Sequence, residues 1–132
     1  MNSILLFCFT LNHQNDEEVL NTFLEEIRKL TLEYKIKGFL IHSNGNILQV
    51  LEGEKIRVLK IFEEISTDLK YKDIFKIYDN KTTEVYFQEE KEFIIIKNGK
   101  QSKILEKYLK SKKNSNPKLY RILNYIINKF LE

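Results

Sequence analysis

Residues 3–10 are apolar on both alternations of an extended chain, with Leu6 and Cys8 on one side and Leu5, Phe7 and Phe9 on the other. A strand of that kind cannot leave either face to water. The sheet that contains it therefore needs a layer of structure on each side. The run Ile4-Leu5-Leu6-Phe7-Cys8-Phe9 has no basic segment before it and no small-residue cleavage site after it, and it is too short to cross a bilayer. The expectation is a buried strand, with no membrane attachment.

A helix is expected over Asp16–Tyr34. Leu20, Phe23, Leu24, Ile27 and Leu30 recur at three- and four-residue steps, and Asn15 with Glu18 reads as a capping box. Two apolar runs, Gly38–His42 and Ile47–Leu51, then flank Ser43-Asn44-Gly45-Asn46, where Asn-Gly suits the positive φ angles of a tight hairpin. A second helix over Glu54–Leu69 carries Val58, Leu59, Phe62 and Ile65 on one stripe. Ile74–Tyr78 and Phe93–Ile96 are two further strands.

The order βαββαββ is the ferredoxin-like plan with one added strand: an α+β fold in which both helices cover one face of an antiparallel sheet. The C-terminal third supplies the second cover. It reads as a short helix over Ser102–Leu109, a linker over Lys110–Ser115, and a helix opened by Asn116-Pro117 that carries Leu119, Ile122, Leu123, Ile126, Ile127 and Phe130. Residues 1–98 are taken as the core domain and 99–132 as a helical cap.

Composition removes several classes of function. Twenty-two Lys and Arg against 19 Asp and Glu give a net charge of +3, too little for a chain that lives on phosphate backbones, so nucleic-acid binding is not expected. One cysteine allows no internal disulfide and no zinc site, which suits a reducing cytoplasm. His13 and His42 are isolated from each other and from any carboxylate cluster, so neither a metal site nor a nucleophilic triad is expected. No arginine-rich phosphate loop adjoins the first strand, which argues against an acyl-phosphatase-like enzyme on this scaffold. The lysines between Lys103 and Lys113 read as a solvated face.

The stretch Ile36-Lys37-Gly38-Phe39-Leu40-Ile41-His42-Ser43-Asn44-Gly45-Asn46-Ile47-Leu48-Gln49-Val50-Leu51-Glu52-Gly53-Glu54 resembles the signature hairpin of blue-light-sensing flavin (BLUF) domains: G-I-T-G, a strand, a turn, then F-x-Q-x-L-E-G. The segment Asp68-Leu69-Lys70-Tyr71 is similar to that family's D-x-R-H at the end of the second helix. The resemblance implies FAD held between the two helices. It also implies a first-strand tyrosine that donates an electron and a proton, a third-strand glutamine that rearranges its hydrogen bonds, and an asparagine on the first helix.

Carried over position by position, the glutamine is Gln49, on the face shared with Ile47 and Leu51. Cys8 takes the place of the tyrosine, between Phe7 and Phe9, and Thr31 takes that of the asparagine. Lys35 and Lys37 replace small residues of G-I-T-G, while Lys70 and Tyr71 replace arginine and histidine. The family's strand-five tryptophan and methionine fall on Tyr86 and Gln88 or on Phe93 and Ile95. The cofactor-binding set so defined is Gln49, Thr31, Lys70, Cys8 and Asp68. Without a tyrosine the usual photochemistry is expected to fail, since a buried neutral thiol is a weak donor.

Each assignment has a plainer reading. Gln49 can be a buried amide bonded to nearby backbone, Cys8 a small core filler, and Glu52 a strand-end residue that sets the turn into the second helix. The resulting functional expectation is a non-enzymatic BLUF-family regulatory domain that binds a flavin between its two helices, is photochemically impaired, and signals to a downstream protein through its C-terminal helices. Its alternative is a flavin-free homo-oligomeric module whose cleft is closed or adapted to another anion such as a nucleotide, with Lys35, Lys37 and Lys70 near it.

Overall fold

In a computed structural model, which describes residues 1–12, 17–82, 93–97 and 103–130, the chain runs β1 (Asn2–Leu11), α1 (Glu17–Glu33), β2 (Lys37–Ser43), β3 (Asn46–Glu54), α2 (Lys55–Ser66), β4 (Tyr71–Thr82), β5 (Ile94–Ile96), α3 (Lys103–Ser115) and α4 (Pro117–Phe130). The strand order is β4-β1-β3-β2-β5. The doubly apolar β1 lies inside the sheet, antiparallel to β3 and β4. The largely polar β4 forms one edge. The β2–β3 hairpin turns through Asn44 and Gly45 at φ 50° and 78°, as the Asn-Gly pair led one to expect.

The ferredoxin-like order is present, but the sheet is mixed and not wholly antiparallel. β5 pairs parallel with β2, Phe39 opposite Ile94 and Ile41 opposite Ile96. The chain leaves β4 on one edge and re-enters at the other with its direction reversed. That reversal makes it run alongside β2, and no local pattern in three isoleucines could report it.

Two apolar clusters sit on the two faces. On one, Leu5, Phe7, Phe9 and Leu11 of β1 meet Leu20, Phe23 and Ile27 of α1 and Val58, Ile61 and Ile65 of α2. On the other, Ile4, Leu6, Phe39, Ile41, Leu48 and Val50 meet Leu105 and Tyr108 of α3 and Leu119, Leu123 and Ile127 of α4. The C-terminal helices thus cover the second face. Leu59, expected on the buried stripe, is exposed, because a helix aimed inward at Val58, Ile61 and Ile65 turns position 59 about 100° away.

The expected linker at 110–115 is helical. α3 continues to Ser115, with the Ser111 and Ser115 hydroxyls donating to the carbonyls of Tyr108 and Ser111 at 2.7 and 3.1 Å. Lys112 is buried there and not solvated, which fastens this last turn to the sheet. Asn116 then caps α4, its Oδ1 accepting from the Leu119 N–H at 3.2 Å with Pro117 at the first helical position. Asn15 of the expected capping box, His13 and Ser102 lie outside the described residues.

Candidate functional site

The register of β1 against β3 decides which side chains share the helix-covered face. Phe7 stands opposite Gln49, and Cys8 opposite Leu48. Gln49 alternates with Ile47 and Leu51, which belong to the cluster beneath α1 and α2, and is fully buried. Neither its Nε2 nor its Oε1 meets a hydrogen-bond partner among the described residues. A buried amide in that condition costs on the order of 1–3 kcal/mol, so the plainer reading of a backbone-bonded glutamine does not hold.

Cys8 is not brought to this face. It packs with the cluster beneath α3 and α4, and burial pushes its thiol pKa up, so it stays neutral. Side chains one residue apart on a strand point to opposite faces, and the residue that shares Gln49's face is Phe7. Phenylalanine has no proton to give.

Above Gln49's face the helices close over aromatic rings. Phe7 packs edge-on against Phe62 at 4.9 Å between centroids, and Phe9 against Phe23 and Tyr71 at 5.5 and 5.3 Å. Between α1 and α2 there remains a gap of only 60 Å³. Its lining includes Leu30, Tyr71 and three carboxylates, those of Glu26, Glu64 and Asp68. Lys70, itself half exposed, stands near its mouth, 3.6 Å from Glu26 and 4.0 Å from Asp68. Asp68 also accepts from the Lys70 backbone N–H at 2.9 Å. The Tyr71 hydroxyl pKa is pushed up, first by burial and then by the charges of Glu26 and Asp68.

Thr31 lies elsewhere. Buried on α1, its hydroxyl donates to the Ile27 carbonyl at 2.8 Å, and it lines a separate cavity of 310 Å³ beside β2 and β5. Lys35 and Lys37 border that cavity too, so the three lysines once grouped around one cleft divide between two places. Of the strand-five candidates, Phe93 joins the helix-side core and Ile95 packs against it, whereas Tyr86 and Gln88 lie outside the described residues.

The family model "Sensors of blue-light using FAD" matches residues 3–92. The chain belongs to the BLUF family. Its fold is similar to that of the Klebsiella pneumoniae protein BlrP1 solved with FMN and cyclic diGMP, at 19% identity and TM-score 0.76 over 97% of this chain and 36% of that one. It is also similar to BlsA in its photo-activated state, at 22% identity and TM-score 0.67 over 99% and 95%. A bacterial light-regulated adenylyl cyclase aligns at 20% identity and TM-score 0.66 over 100% and 41%. The chain thus spans about a third of the BlrP1 chain's length. A search of the curated proteins finds no match.

FAD is the cofactor of the BLUF family. Gln49 suits it, since an unpaired buried amide is what the polar edge of a flavin ring could satisfy. The surroundings do not fit. Ligand sites measure upwards of about 300 Å³, whereas the interhelical gap holds 60 Å³, is filled from below by phenylalanines and is rimmed by carboxylates that repel a diphosphate.

Two features went unnoticed in the sequence. Lys112 reaches from α3 into the core, its Nζ 3.1 Å from Glu52 Oε1, so Glu52 anchors the cap instead of setting the turn into α2. Phe7, not Cys8, is the neighbour of Gln49, a distinction that the β1–β3 register draws. Among the described residues there is no cluster of metal-binding side chains, and no helix is long and apolar enough to cross a membrane.

Proposed function

We propose that this chain is a BLUF-family regulatory domain that has lost the light-driven tyrosine–glutamine exchange and acts through protein contacts of its helical cap, residues 99–132. The observation that carries this reading is Phe7 opposite Gln49 on the face where the family's chemistry needs a phenol. The protein's own rings crowd the cleft above, which supports the reading of a closed scaffold. Its outward-facing cap residues include Ile104 and Tyr125, apolar enough to meet a downstream partner or a second copy.

The absorption spectrum of the purified protein, before and after incubation with FAD, tests this. No flavin band, or a flavin band that does not shift under blue light, is expected. A reversible red shift on illumination would sink the reading. The second reading, a retained but photochemically silent flavin, draws on Gln49's unpaired amide. It is favoured if FAD co-purifies and Gln49→Met releases it.

A further inference from the structure

We infer that the chain carries a second ligand site, apart from the interhelical gap, that takes a small anion bearing one flat apolar ring. The site is the 310 Å³ cavity between the C-terminal half of α1, the α1–β2 connection and the start of β5. Its volume reaches the lower end of ligand-site sizes, about 300 Å³, enough for a single ring system and too small for a dinucleotide such as FAD.

Charge selects the class of ligand. Arg28, Lys35 and Lys37 border the cavity, and no carboxylate is among its described lining residues. The gap on the other side of α1 is the reverse, with Glu26, Glu64 and Asp68 around it. An anion is therefore drawn to one side of this helix and repelled from the other. Arg28 offers a planar fork suited to a carboxylate or phosphate, and the lysines add mobile point charges.

Shape selects the rest of the ligand. Ile36 and Phe93, 2% and 4% exposed, give the cavity an apolar wall with an aromatic ring in it. Thr31 also lines the cavity, and its hydroxyl proton is taken up by the Ile27 and Arg28 carbonyls at 2.8 and 3.2 Å, so it has none to donate to a ligand. Lys35 adopts φ 55°, and this left-handed residue turns the chain from α1 into β2 so that Lys35 and Lys37 both reach the cavity. A cationic rim beside an apolar wall is what an aromatic carboxylate and a nucleoside monophosphate have in common as requirements.

The test is thermal denaturation of the full chain with benzoate, adenosine 5′-monophosphate, inorganic phosphate or neutral benzamide. A ligand that binds only the folded state raises the melting temperature. At least one of the two aromatic anions should do so, and which one does identifies the source. Phosphate and benzamide should not match it. Arg28→Glu and Lys35→Glu, both at exposed positions that should not disturb folding, are each expected to weaken binding about tenfold, the scale of one lost charge-assisted hydrogen bond. Thr31→Trp, which fills the cavity, should abolish it. No shift with either aromatic anion, an equal shift with phosphate alone, or undiminished binding in both charge-reversal variants overturns the inference. A flavin found between α1 and α2 would leave it untouched, because the two sites lie on opposite sides of α1.

Discussion

Lys112 Nζ lies 3.1 Å from Glu52 Oε1, with 1% and 0% of the two side chains exposed. The pair ties α3 of the helical cap to β3, the strand that carries Gln49 three residues earlier. The lysine ammonium also sits over the Tyr108 ring, 5.4 Å from its centroid. Strand and cap are therefore joined at this point by a hydrogen-bonded ion pair, while the ring contact holds the ammonium in place from within α3.

Lys112→Met removes the cation and leaves the buried carboxylate without it, which should destabilise the fold by about 3–5 kcal/mol. The double variant Lys112→Met, Glu52→Leu should recover most of that loss, since an apolar pair of similar volume replaces a desolvated ion pair at little net cost. Urea denaturation of the single and double variants decides it. A single variant as stable as the parent would show that the pair does not hold the cap.

Gln49→Met should stabilise the protein by about 1 kcal/mol, because it removes an amide whose two polar atoms are buried without partners and keeps the side chain's length. The opposite sign, a loss of 1 kcal/mol or more, would mean that the amide is satisfied in solution. That outcome would count against a closed cleft.

Gly38 sits at φ 137°, and a Cβ added there would lie 2.0 Å from the Val50 carbonyl oxygen. The obstacle is backbone of a central strand and cannot swing aside. Gly38→Ala should therefore cost upwards of about 2 kcal/mol, combining left-handed strain with displacement of β3. A melting temperature within experimental error of the parent would contradict this packing.

Burial raises the phenol pKa of both Tyr108 and Tyr71. In the unfolded chain these groups lose their protons near pH ~10. Above that pH the unfolded state binds fewer protons than the folded one, so stability is unaffected below it and falls as pH rises beyond it. Denaturation midpoints between pH 8 and 11 should show the decline, and Tyr108→Phe should make it shallower. Among the seven tyrosines, an ultraviolet titration should find a class that ionises late.

The layered plan was legible because its signals are local or periodic. Two-sided hydrophobicity in β1, the Asn44-Gly45 turn and the three- and four-residue spacing in α1 each follow from the backbone geometry of a single element. The Q-x-L-E-G stretch around Gln49 likewise placed the chain in its family, and Gln49's face followed from parity along β3. What remained hidden depends on how elements meet. The direction of β5 was set by where the chain re-entered the sheet, and the helical state of 110–115 by a buried ion pair sixty residues apart in sequence. Which first-strand side chain meets Gln49 required the β1–β3 register, since a shift of one residue exchanges Phe7 for Cys8 and one face for the other. The sequence by itself determined the elements and the family. Only the tertiary structure decided that Gln49 faces a phenylalanine beneath a filled cleft, because register and packing are properties of pairs of segments and no single segment encodes them.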